Sequence, residues 1–284
     1  VIRGDDHLAN TAKQILIYRA LEARLPAFAH LPQVLGPDGA RLSKRHAATA
    51  VIAYRDLGFY PQALVNFVAR LGWSHGDQEV FTRSELIHAF ALEDVGASAG
   101  VFNLEKLRWL NFQYLKERSP DELAKDLREF NRGRGVTLPP DDAWLARVAS
   151  SLRERAHTLL ELTEQASFYF SRGVEIDPVA ASKSLGPDAA PILEALVTQL
   201  ESIDGWGKEA IESSFAAVVA QTGRKLGAVA QPARVALTGR TASPGIYEVV
   251  EILGREECLA RLRAGKAIAT ASQGELPRSP ASSP

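Results

Sequence analysis

Apolar residues recur along most of this chain at intervals of three and four, the spacing of helices with one buried face. Near the front that rhythm is interrupted by two short strand-like runs. Val1 to Arg3 reads as a strand end, and Gly4-Asp5-Asp6 as the turn leaving it. Ile15, Leu16, Tyr18 and Leu21 predict an amphipathic helix over 10–23, capped near Asn10-Thr11 and ended by Pro26. Phe28 to Leu35 reads as a second strand. Strand, helix, strand and then a loop at the strand's carboxyl end is the order in which open α/β sheets present ligands.

From residue 48 onward the pattern is helical. Helices are predicted over 48–56, from Pro61 through Leu71, over 84–92 behind the capping box Thr82/Glu85, and from Asn103 to Tyr114. Ser119-Pro120-Asp121-Glu122 is a strong helix start and a candidate domain boundary. Beyond it helices are expected near 121–131, 141–156, 157–171, 178–183 and 188–202, then near 208–222, 226–238, 244–253 and 255–265. Residues 269–284, rich in Ala, Ser and Pro, read as a disordered tail. Trp73 and Trp109 have apolar helical neighbours and read as core residues rather than base-stacking platforms.

With 284 residues and 46% hydrophobic content, the chain can bury cores for two or three domains. No apolar run approaches the roughly 20 residues needed to cross a bilayer, so a cytoplasmic location without membrane attachment is expected. The single cysteine, Cys258, cannot form an internal disulfide and sits among Leu253, Leu259 and Leu262, which suggests a buried apolar thiol. His46 and His75 lack a second ligand at metal spacing, so no metal site is expected. A net charge of −1 argues against a generic, sequence-blind nucleic-acid coat, but leaves room for a shape-specific RNA binder with local basic patches. There is no methionine, and Val1 already reads as strand; the chain is expected to be the C-terminal part of a longer protein.

The densest chemistry lies in Leu35-Gly-Pro-Asp-Gly-Ala-Arg41-Leu42-Ser43-Lys44-Arg45-His46. Gly36-Pro37-Asp38-Gly39 is a tight-turn signature, and it delivers three cations around one serine. Such a loop suits a polyphosphate whose charge grows during reaction, although an exposed basic loop has the same composition.

Leu42-Ser43-Lys44-Arg45 resembles the KMSKS signature of class I aminoacyl-tRNA synthetases, and with His30-Leu31-Pro32 and the Gly-Pro-Asp-Gly turn it is similar to the glutamyl-tRNA synthetase version. Further blocks follow in that family's order: Val1-Ile-Arg3-Gly-Asp-Asp6-His7, Tyr54 to Leu64, Leu71 to Asp77, Phe102 to Asn111 and Ala230 to Gly239. The resemblance reaches to about residue 265. It implies a mainly α chain: residues 1–46 as the end of an α/β, Rossmann-like catalytic domain and 47–118 as a helical stem-contact module. Residues 119–203 and 204–268 would then be two bundles of an all-α, bacterial-type anticodon-binding domain.

The resemblance also implies roles. Lys44 would be catalytic, stabilising the pyrophosphate leaving group, and Asp6, Arg41, Leu42, Ser43, Lys44 and Arg45 would bind ATP, which enters with Mg. Arg3 would bind glutamate; a structural ion pair with Asp5 or Asp6 is its alternative. Arg153, Arg155, Gln231 and Arg234 would bind tRNA-Glu. Their alternatives are pairing with Glu154 or Glu161 for the first two and helix capping for the others, and Arg240 shares that choice. The implied activity is glutamate–tRNA ligation by a monomer. The family's HIGH motif is absent from the sequence, so the isolated chain is expected to be inactive. A stand-alone tRNA-binding module without catalysis is the alternative.

Overall fold

The computed structural model describes residues 1–43 and 50–271, which form two compact units. The first comprises Val1–Ser119 with Ala156–Glu161. Its front is a parallel strand pair, β1 (Ile2–Gly4) and β2 (Ala29–Leu31), in which Arg3 lies opposite His30. β2 is shorter than the predicted run because Pro32 has no N–H to donate to a ladder. The connecting helix α1 (Leu8–Ala20) starts earlier than its apolar spacing suggests. Its predicted apolar face is only partly covered: Leu16 and Leu21 are exposed, Ile15 and Tyr18 are half-buried, and Thr11 is the helix's one buried residue.

The helical part of this unit comprises α2 (Val51–Asp56), α3 (Pro61–Gly72), α4 (Arg83–Ala89) and α5 (Leu104–Glu117). Pro61 occupies the first turn of α3, Thr82 and Glu85 close a reciprocal capping box on α4, and the Asn103 side chain accepts from the Lys106 N–H of α5. Tyr54, Phe59, Phe67, Phe102, Leu107 and Leu110 form its main core, with edge-to-face rings such as Phe67 on Phe102 at 5.0 Å. Each such side chain, once buried, contributes on the order of 1.5–3 kcal/mol.

Trp73 is buried beside Phe81 and Leu86, but Trp109 is not core: it is 42% exposed. The buried positions of α5 are Leu107, Leu110, Asn111 and Leu115, and at 100° per residue Trp109 falls on the opposite side of the helix. Asn111 is itself fully buried, accepting from the Tyr60 N–H at 2.8 Å and donating to the His157 carbonyl at 2.6 Å. It thereby ties residues 156–161 to the earlier helices, and Arg108 with Glu161 adds an ion pair to the same anchorage.

The second unit runs from Pro120 to Arg155 and resumes at Leu162. It contains α6 (Pro120–Asn131), α7 (Asp142–Leu152), most of α8 (Leu159–Phe170), α9 (Pro178–Ser184), α10 (Ala189–Ser202), α11 (Lys208–Thr222), α12 (Leu226–Thr238), α13 (Ile246–Leu253) and α14 (Arg255–Ala271). α6 packs on α7, while α10 packs on α11, α12 and α14, so α10 lies with the helices that follow it.

Two boundaries differ from expectation. The helix predicted over 141–156 stops at Leu152 and tightens into a single 3-10 turn, Arg153–Arg155. α14 continues to Ala271 because Ala269 is fully buried, carrying helix into the predicted tail; the rest of that tail lies outside the described residues. Cys258 is buried on α14, and its thiol is pushed up to about 12 by that burial, as expected of an apolar, unreactive position.

Candidate functional site

In the first unit, the predicted turn is the tip of a hairpin. Gly39 adopts φ +74° and donates to the Gly36 carbonyl at 3.0 Å, while Gly36 donates to Ala40 at 2.7 Å. Asp38 accepts from the Ala40 N–H at 3.0 Å, the local side-chain bond that makes aspartate a turn residue. Leu35 bridges Arg41 across the hairpin and exchanges backbone bonds with Gly100 and Phe102, which moors it to the helical core. Leu42 packs against the Tyr54–Phe102 cluster, so its side chain anchors the hairpin's exit. Ser43 follows directly. Lys44, Arg45 and His46 lie outside the described residues.

The hairpin meets the end of β1 through Asp6 and Arg41, paired at 3.4 Å with the arginine 71% exposed. Arg3 does not pair with either neighbouring aspartate. Its Nη2 donates to Thr11 Oγ1 at 2.6 Å, Thr11 Oγ1 also contacts His30 Nε2 at 2.8 Å, and the guanidinium lies 5.6 Å from the Phe28 ring centre. Its Nε is buried without a hydrogen-bond partner. The arginine is therefore held on one side, by a hydroxyl and a ring face, with donor capacity left over.

In the second unit, the turn Arg153–Arg155 and the loop after α12 line one cavity of about 490 Å³ with Leu152, Gln165 and Phe168. The loop is built by its neighbours. Gly239 ends α12 in the left-handed region at φ +74° and leaves no room for a Cβ, which would overlap the Glu175 carbonyl oxygen. Gln231 Nε2 donates to the Thr241 carbonyl at 3.0 Å, and Arg234 Nη1 donates to the Pro244 carbonyl at 2.8 Å and to Ser243.

Arg234 is thus half-buried as the loop's scaffold. Desolvation lowers its pKa, and the nearby charge of Arg155 lowers it further, which places the two cations in one field. Arg155 itself is exposed, with its carbonyl held by Gln165 Nε2 at 2.9 Å; Glu248 lies within reach of its charge, but among the described residues no carboxylate forms an ion pair with it. Arg153 instead faces Glu154 at 4.0 Å, and Glu161 is taken by Arg108. Arg240 is exposed, and among the described residues its side chain makes long contacts, 3.4 Å each, to the Glu164 carbonyl and Ser167 Oγ. An exposed arginine pair beside a rigid, polar loop can grip a single-stranded base by stacking and by its edge.

Residues 122–266 match the family described as "Anticodon binding domain", and residues 1–109 match "tRNA synthetases class I (E and Q), catalytic domain". The chain is 53% identical over 262 residues to the glutamate–tRNA ligase of Syntrophobacter fumaroxidans and 50% identical over 263 residues to that of Geobacter sulfurreducens. The chain belongs to the glutamyl-tRNA synthetase family. These alignments cover 92% and 93% of it and 56% of each relative, so the chain spans little more than half their length. Among solved structures, a glutamate tRNA ligase from Elizabethkingia meningosepticum superposes with a TM-score of 0.80 at 28% identity, over 94% of this chain and 56% of that one.

For a glutamyl-tRNA synthetase family member, sequence reasoning overlooked the residues that hold the named ones. Thr11 and His30 position Arg3, and Gln165 and Thr241 frame the cavity at Arg155. The only local hint was the run Thr241-Ala-Ser-Pro244 straight after a helix-ending glycine, a pattern for a tight polar loop.

Proposed function

We propose that this chain is part of a glutamate–tRNA ligase, which activates glutamate with ATP and transfers it to tRNA-Glu. The observation that carries the reading is the second unit's cavity, where Arg155, distant in sequence, meets Arg240 and the loop 241–244 that Gln231 and Arg234 hold in place. In this reading Arg155 and Arg240 touch the RNA, whereas Gln231 and Arg234 act by fixing residues 241–244. Arg153 supports the turn.

At the other site, Arg3 receives the glutamate side-chain carboxylate, which an arginine fork can clasp through two N–H groups. ATP enters as its magnesium complex near Asp6 and the hairpin residues Arg41, Leu42 and Ser43, with Arg45 also binding it and Lys44 on the departing pyrophosphate. There the substrate carboxylate attacks the α-phosphorus directly, and a cation placed where charge develops accelerates the step. The reading includes a cytoplasmic monomer.

Two measurements test it. The chain should bind a tRNA-Glu anticodon arm, and Arg155→Ala should weaken that binding by about 1–3 kcal/mol, the scale of one base contact. Combined with a polypeptide carrying the part of a relative that this chain does not match, it should support aminoacylation that collapses with Lys44→Ala. Aminoacylation indifferent to Lys44, or binding indifferent to Arg155, refutes the corresponding half.

A further inference from the structure

We propose that the cavity next to the one at Arg155 is a second nucleotide subsite, which takes the adjoining nucleotide of the same RNA strand with Lys183 on its phosphate. The inference rests on the reading of the first cavity as an RNA site. The second cavity has a volume of about 830 Å³, within the range of roughly 300–1,000 Å³ typical of ligand pockets, and lies between the end of α8, the start of α9 and the α12 cap. Phe168, Arg240 and Thr241 line both cavities. A strand seated in one therefore has a direct path into the other, around a wall whose one charged group is an arginine.

The lining chemistry suits a nucleotide. Lys183 and Arg240 are exposed, and among the described residues Lys183 has no carboxylate partner. Asp177 is already engaged, its Oδ1 accepting from the Ala180 N–H at 2.8 Å to cap α9, so Glu175 is the one carboxylate of the lining without such a commitment. Arg240 bridges the two cavities with weak contacts of its own, leaving its planar guanidinium free to stack on a base from either side. The floor is rigid. Asp177 N–H donates to the Gly239 carbonyl at 3.0 Å, and the Ser171 hydroxyl donates to Gly173 at 3.1 Å.

The test titrates the full chain with a 5′-labelled tRNA-Glu anticodon arm at several salt concentrations, comparing wild type with Arg155→Ala, Lys183→Ala and Lys183→Arg. Because Lys183 is exposed and has no carboxylate partner among the described residues, its variants should fold, which thermal melts check. The expected result is a loss of affinity of about three- to tenfold for Lys183→Ala, with the log–log salt slope reduced by about 0.7, the value for one phosphate contact on a single strand. Lys183→Arg should restore both. If Arg155→Ala weakens binding while Lys183→Ala changes neither affinity nor slope, the second subsite is refuted and the first stands. If neither variant matters, the first reading has failed as well.

Discussion

Arg261 is the place where stability and the cavity at Arg155 meet. Its side chain on α14 is 1% exposed, and its guanidinium donates to Glu257 Oε1 at 2.6 Å, to the Leu237 carbonyl at 2.6 Å and to the Ser171 carbonyl at 2.7 Å. Leu237 lies in the last turn of α12, whose carbonyls have no intrahelical donors, and Ser171 lies just past α8. One buried cation thus closes the C-terminal ends of the two helices that frame the loop at 239–244. Arg261→Met keeps the aliphatic stem and removes only the polar links. Hydrogen bonds to a charged group contribute about 1.5–3 kcal/mol each, and part of that gross sum offsets the cost of burying the guanidinium. Breaking one partner of such a buried pair costs about 3–5 kcal/mol net, a large share of a domain stability on the order of 5–15 kcal/mol.

Urea unfolding followed by circular dichroism should show that loss, and the melting temperature should fall by roughly 6–20 °C at about 2–4 °C per kcal/mol. Acid adds a second check. Burial pushes the Glu257 carboxyl up, but the bonds from Arg261 and from the Gly173 N–H outweigh it and hold the group below its ordinary value of 4.5. A carboxyl lowered in the folded state stabilises above its unfolded pKa, and that contribution fades as pH falls through the folded value. The gap between wild type and Arg261→Met should therefore narrow below pH 4.5. A loss under about 1 kcal/mol at neutral pH, or a gap that stays constant in acid, refutes the argument.

Gly239→Ala should destabilise the second unit by at least about 1–2 kcal/mol, the cost of a left-handed alanine before any overlap with Glu175 is counted, and should weaken anticodon-arm binding as the loop loosens; unchanged melting contradicts it. Cys258, with its thiol raised from 9.0 to about 12, should carry about a thousandfold less thiolate than an ordinary cysteine at neutral pH and resist iodoacetamide until the protein unfolds; rapid labelling of the native protein counts against the buried position. Asn111→Ala should leave the Tyr60 N–H and the His157 carbonyl without their buried partner, at a cost of about 2–4 kcal/mol, and should speed hydrogen exchange at the Tyr60 amide; exchange as slow as in wild type counts against it.

Much of the architecture is local and was readable in advance. Pro61, Thr82 with Glu85, Asn103 and Pro120 each act on the backbone within one helical turn, so helix starts need no knowledge of the fold. The Gly-Pro-Asp-Gly turn is equally self-sufficient, since its bonds close within five residues. The family blocks, likewise, are strings of neighbours. The exposure of Trp109 depends instead on which face of α5 meets α3.

The same division holds at the sites. Residue types and order were enough to nominate Arg3, Arg155, Gln231 and Arg234. Whether a cation reaches outward or braces its own chain was not readable, because that depends on partners outside its own element: Thr11 and, through it, His30 for Arg3, Ser243 and Pro244 for Arg234, and Glu161, drawn off by Arg108 from another helix. A side chain's chemistry is written where it stands in the chain, but the competition for its hydrogen bonds is settled only when distant segments are brought within 3 Å.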